Sequence, residues 1–592
     1  MKQKLQTVLK EALKVKTNST NFLIDKSLFP TKSHVTSIKS SISPFSTATR
    51  YCWNTSFVKS TKPPPKASPA FSRAVTASVF VATTSLTLAL IYTHTHPLYA
   101  DELPHNKQSN PSDPTTSPRR RIIRLHELSA HGPYSPTPWI LHHNRVYDIT
   151  SFLPLHPGGD IILRAAGGSI DPYWDIFSIH KTNGAAELLE EYYIGDVDER
   201  DLDAEGKVKG VDDPFKGDPG RDEGSVVLNW RPFNAESGEE GLRAWRTGSG
   251  VFYVRNHFWV PEIRSEKHKL VVEMPNGGEK EYSLEDLKKK FKEITITATL
   301  QCSGNRRRHM SENARPAAGL QWGVGAISNA VWTGVRLRDV LADAGLDVDE
   351  LPEDAKHAQF VGAEAYGSSI PIETAVDKRG DVLLAYEMNG EPLPRDHGFP
   401  LRVLVPGTVA ARSVKWVRKV VVSEEESTSQ WQRRDYKCFG PNVKGNPGWD
   451  EAPAIQEMPV QSAITGLRDV SRESEGDRIL RQGLKMEENW VIVEGYAWSG
   501  GGRKITRVDV SADDGKSWHQ AELLPDESLG SKAWSWKRWR WVIPRTQVRS
   551  CFVVKAADEA GNSQPKDYEP YWNFRGNLTN SWHRVENRQS ED

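Results

Sequence analysis

Two short runs concentrate the chemistry of this chain. The first is His156-Pro157-Gly158-Gly159, with His180 following 24 positions later, after Tyr173-Trp174-Asp175-Ile176-Phe177. Two neutral imidazoles approaching a porphyrin from opposite faces make a six-coordinate, low-spin iron that exchanges electrons and leaves no position for oxygen. The proline and glycines set a tight turn that aims His156 inward. Phe152, Tyr173, Phe177 and Tyr193 can supply an apolar wall. The second run is Cys302-Ser303-Gly304-Asn305-Arg306-Arg307-Arg308. Three guanidinium groups beside a thiol favour the thiolate, which is the form that binds metal. Soft sulfur suits a polarisable metal, and arginines bring forked donors for an oxyanion.

These groups need elements to hold them. Residues 294–302 alternate, which places Ile294, Ile296, Ala298, Leu300 and Cys302 on one face of a strand. Residues 139–149 read as a strand pair turning at His143-Asn144, and 183–193 carry Ala186, Leu189 and Tyr193 at helical spacing. Residues 401–405 and 414–422 are apolar strands, and 334–344 are helical in pattern. From Met458 the chain changes to short strands at 490–498, 506–511, 518–523, 534–541 and 551–556, separated by Gly, Asp-Gly or Pro turns. Regular short strands of this kind predict an immunoglobulin-like sandwich.

At 592 residues the chain exceeds what one hydrophobic core supports, roughly 250–300 residues. A mean hydropathy of −0.57 excludes a polytopic membrane protein. The reading is an α+β multidomain protein: leader 1–100, linker 101–121, a small α+β unit 122–200, a flexible hinge 201–224, a mixed α+β unit 225–456 and a β-sandwich 457–592. The hinge follows from ten acids and five bases over 198–224 with almost no large apolar residues. The leader holds 13 Lys plus Arg against two acids, Glu11 and Asp25, and is rich in Ser and Thr, as transit peptides are. Its uncharged run 74–92 is just long enough to span a bilayer. That pattern is similar to bipartite presequences that deliver proteins to the mitochondrial intermembrane space; a retained single-span anchor is the other reading, and the only membrane contact expected. Four cysteines, Cys52, Cys302, Cys438 and Cys551, are too few for a disulfide scaffold.

Residues 122–200 resemble a cytochrome b5 domain, which implies haem b with His156 and His180 as axial iron ligands. Further on, Phe252-Tyr253-Val254-Arg255-Asn256-His257, Leu300-Gln301-Cys302-Ser303-Gly304-Asn305-Arg306, Asp396-His397-Gly398-Phe399-Pro400-Leu401-Arg402, Ala411-Arg412-Ser413-Val414-Lys415-Trp416 and Trp431-Gln432-Arg433-Arg434-Asp435-Tyr436 resemble the molybdopterin domain of the sulfite oxidase and eukaryotic nitrate reductase family. Trp498-Ser499-Gly500-Gly501-Gly502-Arg503 and Trp572-Asn573-Phe574-Arg575-Gly576 match that family's dimerisation domain, implying a homodimer. The resemblance makes Cys302 the protein ligand of a molybdenum whose other sulfurs come from the pterin dithiolene. It assigns Tyr253, Val254, Arg255, Asn256, His257, Glu364, His397, Arg402, Ser413, Val414 and Lys415 to the pterin and its phosphate, which needs cationic forks and backbone donors. Arg255, Arg307, Trp322, Tyr436 and Arg575 look like the oxyanion pocket. One extra residue between Cys302 and Trp322 relative to the usual spacing leaves both Arg307 and Arg308 open as the substrate-facing arginine.

Order and pocket separate the branches of that family. The haem unit comes first, and no Gly-x-Gly-x-x-Gly fingerprint or flavin module follows the sandwich, so electrons are expected to leave through the haem. Tyr436 and Arg575 match the sulfite branch. The resemblance thus implies oxidation of sulfite to sulfate, with electrons passed to cytochrome c. A nitrate-reductase-like molybdoenzyme and a haem carrier with a degenerate molybdenum domain are the alternatives. Zero net charge conceals a split: residues 101–592 carry 64 bases against 75 acids, and 122–200 carry five against 11. An acidic haem unit suits a basic electron acceptor and not nucleic acid.

Overall fold

The computed structural model describes residues 121–587, apart from 157–158, 175–184, 211–212, 444–446 and 471–489. The leader with its apolar run, Cys52, the linker to residue 120, Phe177 and His180 lie outside the described residues. Among the described residues no helix is long and apolar enough to cross a membrane.

In the N-terminal unit, β1 (Ile122–Ile123), β2 (Trp139–His142), β3 (Arg145–Asp148) and β4 (Tyr193–Val197) form a sheet in the order β1-β4-β3-β2. The β2–β3 pair turns at His143-Asn144, as its alternation predicts. Alternation also splits the core. Ile140 and Tyr147 pack with Ile149, Ile162 and Leu189 on one face, while Leu141 and Val146 pack with Ile123, Leu128 and Val197 on the other. The helix expected over 183–193 is shorter, Ala185–Glu190, because Tyr193 opens β4 and Ile194 and Val197 reach their core only from a strand.

The central unit starts with a three-stranded sheet of β5 (Val226–Trp230), β6 (Phe233–Glu236) and β7 (Val254–Arg255). It continues with β8 (Lys269–Glu273), β9 (Glu279–Ser283), β10 (Glu293–Gln301), β11 (Ile327–Arg336), β12 (His357–Gly362), β13 (Gly367–Pro371), β14 (Leu383–Met388), β15 (Glu391–Pro392), β16 (Arg402–Leu404) and β17 (Val417–Ser423). These make two five-stranded sheets, β13-β12-β17-β8-β9 and β10-β11-β14-β15 with β16 on β14. The alternating strand is β10: Ile296, Ala298 and Leu300 join Cys302, Trp322 and Trp332 in one apolar cluster. Its polar face is equally buried, with Thr297, Thr299 and Gln301 inaccessible. The C-terminal unit covers it, Thr297 N–H donating to Leu529 O at 2.9 Å and Thr299 N–H to Trp534 O at 3.1 Å. The helix expected over 334–344 begins only at Leu337, because β11 runs on to Arg336 between β10 and β14.

The C-terminal unit contains β18 (Gln461–Asp469), β19 (Trp490–Trp498), β20 (Ile505–Ser511), β21 (His519–Gln520), β22 (Glu522–Leu523), β23 (Lys537–Pro544), β24 (Cys551–Asp558) and β25 (His583–Glu586). Two antiparallel sheets, β18-β19-β23-β22 and β21-β20-β24-β25, enclose Val493, Val508, Val510, Trp539 and Val554, which is the expected sandwich. The stretch 518–523 is not one strand. It crosses between the sheets at buried Ala521, β21 pairing with β20 and β22 with β23.

The expected solvated hinge is anchored at both ends. Leu202 and Val208 pack on the N-terminal core, and Phe215 packs on the central core. Arg221 lies over Phe233 at 4.0 Å and forms an ion pair with Asp396 at 2.9 Å. Sparse apolar residues made the segment look soluble, yet each of these few finds a core.

Candidate active site and haem site

Cys302 sits just past the end of β10, 6% exposed, its N–H donating to Ala326 O at 3.0 Å. It opens onto a cleft lined by Tyr253 to His257, Glu364, His397, Arg402, Ser413 to Lys415 and Tyr436. All the pterin-assigned residues therefore converge, although they come from five separate stretches of chain.

The three arginines after Cys302 part company. Arg306 adopts φ +66° and points away, fully buried, donating to Tyr568 Oη and Ser581 O at 2.7 Å each, which ties the central unit to the sandwich. Arg308 is exposed. Arg307 is buried within electrostatic reach of Cys302, Arg575, Arg255 and Tyr436, and burial draws its pKa down to about 10. Its side chain lies in a slot walled by glycines. A Cβ on Gly576 would stand 2.6 Å from Arg307 Cγ, one on Gly319 would stand 3.0 Å from Nη1, and Gly304 is closer still. Nε donates to Arg575 O and Nη1 to Leu320 O, both at 2.7 Å, and Nη2 donates to Asn577 Oδ1 at 3.3 Å, which fixes the direction of the guanidinium. Of the two arginines left open by the sequence, the structure thus brings Arg307 to Cys302. The C-terminal unit completes this wall: Arg575 pairs with Asp435 at 2.6 Å, and Asn577 Oδ1 accepts from Ser303 at 2.9 Å. Trp322 is buried in the cluster that contains Cys302.

Next to Asp435, Tyr436 Oη lies 3.2 Å from His257 Nε2. Burial raises the Tyr436 pKa to about 12, and burial with Arg255, Lys415 and Arg575 nearby holds His257 well below its ordinary value. The phenol therefore keeps its proton and the imidazole is neutral near pH 7. His397 Nε2 meets Ser249 O at 3.1 Å, with its pKa lowered by burial to about 4. Arg402 donates to His397 O at 3.0 Å and Ser413 O at 2.9 Å. Lys415 Nζ donates to Asn256 Oδ1 and to Asp396 O.

Sequence reasoning missed the clamp behind that lysine. Asp396 accepts Asn256 Nδ2 at 2.8 Å on one oxygen and Arg221 Nε at 2.9 Å on the other. Arg221 also holds Asp218, whose Oδ1 accepts Val260 N–H at 2.9 Å. The run Asp218-Pro219-Gly220-Arg221 was the available signal, but it is submerged in the acidic composition around it.

The residues present fit an anionic pterin and its metal. A thiol, Arg255, Arg402 and Lys415 line the cleft, burial draws the Lys415 pKa down to about 7, and Glu364 Oε2 is buried without a hydrogen-bond partner. Burial raises the Glu364 pKa to about 7, and its orphaned oxygen has a hydrogen-bonding need that the described residues do not meet.

At the second site, His156 follows a short turn, Leu153–Leu155, with the Phe152 ring 5.7 Å from its own and Tyr192 packed on Phe152 at 5.2 Å. The adjacent Leu155 is 69% exposed, an apolar surface that a macrocycle would cover. The described half of the site thus fits a haem; His180 lies outside the described residues. Two expected wall residues, Tyr173 and Tyr193, pack on the same core as Phe152 and make further contacts as well. Tyr193 is edge-on to Tyr147 under Arg145, and Tyr173 is edge-on to Trp259 of the central unit at 5.3 Å. Beside that contact, Arg164 Nη2 donates to Ala363 O at 3.1 Å, next to Glu364.

Three family models match parts of the chain. Residues 124–198 match the cytochrome b5-like heme/steroid binding domain, 257–431 the oxidoreductase molybdopterin binding domain and 452–590 the Mo-co oxidoreductase dimerisation domain. Mitochondrial sulfite oxidase of Rattus norvegicus is 43% identical over 78% of this chain and 84% of its own length. The Homo sapiens protein is 44% identical over the same shares. That of Drosophila melanogaster is 43% identical over 78% of this chain and 80% of its own. With a buried cysteine in a cationic cleft, a histidine-turn haem unit and relatives that span most of its length, the chain belongs to the sulfite oxidase family.

Proposed function

We propose that this protein oxidises sulfite to sulfate and passes the electrons through its haem to cytochrome c. The observation that carries the reading is the position of Arg307, Arg255, Arg575 and Tyr436 around Cys302. Molybdopterin and haem b are its cofactors: when bound, the molybdenum centre supplies oxygen transfer and two-electron chemistry and the haem supplies a one-electron relay. Cys302 would hold the metal. Tyr253 to His257, Glu364, His397, Arg402 and Ser413 to Lys415 would hold the pterin, and His156 and His180 the haem.

The protein's own part is charge and orientation. Sulfite and sulfate are anions, and the guanidinium groups of Arg255, Arg307 and Arg575 near buried Cys302 would neutralise their charge. Arg307 arrives with Nε and Nη1 already satisfied, so binding costs little reorganisation. Tyr436 keeps its proton on Oη and so donates to an oxyanion instead of repelling it.

The proposed units are 122–200, 225–456 and 457–592, joined by 201–224. The matched dimerisation domain supports a homodimer. The basic leader 1–100 and relatives named mitochondrial support a mitochondrial site, and the run at 74–92 supports delivery to the intermembrane space. The acidic surplus in residues 122–200 would steer a basic acceptor, so transfer should weaken with salt.

Sulfite-dependent reduction of cytochrome c by the purified full chain tests the proposal, with metal analysis giving Mo and Fe in equal amounts. Nitrate turnover with a reduced dye and no sulfite-dependent reduction would favour the nitrate branch, and Fe without Mo a degenerate carrier.

A further inference from the structure

The hairpin of the N-terminal unit contains a cluster that the reaction does not use. One ring nitrogen of His142, one of His143 and a carboxylate oxygen of Asp171 lie within 4.8 Å of one another. His142 ends β2, His143 is the first residue of the turn, and Asp171 opens the short helix Asp171–Trp174.

Three features set it apart from an ordinary His–Asp hydrogen bond. Asp171 Oδ1 is 2.5 Å from His142 Nδ1 and 3.8 Å from His143 Nδ1. These distances straddle the edge of a tetrahedron with ligand bonds near 2.0–2.1 Å, about 3.3 Å. The carboxylate is already oriented by outer contacts, accepting His143 N–H at 3.0 Å and Ser169 Oγ at 3.0 Å, and the His142 ring is stacked on Trp174 at 4.6 Å between centroids. Outer contacts of this kind set ligand direction in metal sites. Finally, His143 holds φ +53°, at a turn position that glycine occupies without strain, yet its side chain is 79% exposed. A histidine kept there costs conformational energy and gains nothing from burial, and residues held in such backbone regions cluster at functional sites.

We propose that the haem unit carries a Zn2+ site formed by His142 Nδ1, His143 Nδ1 and one oxygen of Asp171, with water completing the coordination. Two imidazoles and a carboxylate suit this borderline dication. Binding requires His142 to move its ring proton from Nδ1 to Nε2, so that Nδ1 exchanges its hydrogen bond with Asp171 for the metal. No redox step is involved. The ion would tie the β2–β3 hairpin to the helix nine positions before His180 in the sequence, and so brace one wall of the haem unit.

The test uses the full-length holoenzyme, stripped with a chelator and dialysed against micromolar ZnCl2. His143→Gly is the comparison: it removes one ligand at a backbone position that glycine favours, so the turn is kept. Wild type is expected to retain one more Zn2+ per chain than His143→Gly, and Zn2+ should raise the temperature of haem loss, followed at the Soret band, in wild type alone. A second variant, Asp171→Asn, should lose the same equivalent. Equal Zn2+ content in wild type and His143→Gly, which is adventitious binding at other histidines, overturns the proposal. So does an equal thermal shift in both. Sulfite turnover is not the readout, so the outcome is independent of the assigned reaction.

Discussion

The two redox sites are built in opposite ways. The haem site is local: His156 and its neighbours Phe152 and Tyr192 come from one small unit, and an exposed Leu155 borders it. The molybdopterin cleft is non-local. Its lining runs from Phe252 to Tyr436, its arginine slot needs Gly576 from another domain, and its polar groups are buried in a bonded network. A relay that meets a partner needs exposure, whereas a centre that must exclude water needs depth and many supports.

The largest separation of the two sites should come from single ligand changes. Cys302→Ser is expected to abolish sulfite oxidation, by about 10⁴-fold or more in kcat, while the dithionite-reduced haem spectrum stays unchanged. His156→Ala should do the reverse, losing the haem band and cytochrome c reduction but keeping turnover with an artificial acceptor; activity and visible spectra on the same preparations check both. Next, Arg307→Met should lower kcat/KM for sulfite by about 10²- to 10³-fold, as loss of a charged oxyanion donor does. Gly576→Ala should follow part of the way, since the added methyl meets the Arg307 side chain. A matching Arg308→Met should change kcat/KM less than threefold.

How far these features could be read from sequence follows the same contrast. The β2–β3 turn, the β10 alternation and most of the sandwich strands are short-range patterns, and the structure reproduces them. The separate fates of Arg306, Arg307 and Arg308 were not legible, because one left-handed residue at Arg306 decides which side chain turns inward. The burial of Thr297, Thr299 and Gln301 was not legible either, because the cover on Thr297 and Thr299 comes from residues some 230 positions away. Arg221 was hidden by its composition, since an ion pair with Asp396 across 175 positions leaves no local trace.

Acid separates the two regions differently. Burial depresses His397 to about 4, so the unfolded chain takes up a proton below about pH 6.5 that the folded cleft refuses until about pH 4. Stability of the central unit should therefore fall as pH drops through that window, by about 3 kcal/mol from this group. In the N-terminal unit Asp171 is shifted down despite its burial, held by His142, the His143 N–H and Ser169, so its contribution persists until pH falls below the ordinary carboxylate range. Urea midpoints followed by tryptophan fluorescence and by the Soret band should diverge between pH 6.5 and 4. A milder effect on cofactor content is expected from Arg221→Ala. Loosening Asp396, and through it Asn256 and Lys415, should lower molybdenum content several-fold with normal haem content, as measured by metal analysis.

The central claim is that one buried cleft oxidises sulfite and one exposed haem receives the electrons. Anaerobic mixing of sulfite with the oxidised full-length protein, with no acceptor present, tests it directly. The account predicts that the reduced-haem bands appear in wild type and not in Cys302→Ser, although dithionite reduces both. A wild-type haem that stays oxidised under sulfite, or a Cys302→Ser haem reduced as fast as wild type, would contradict it.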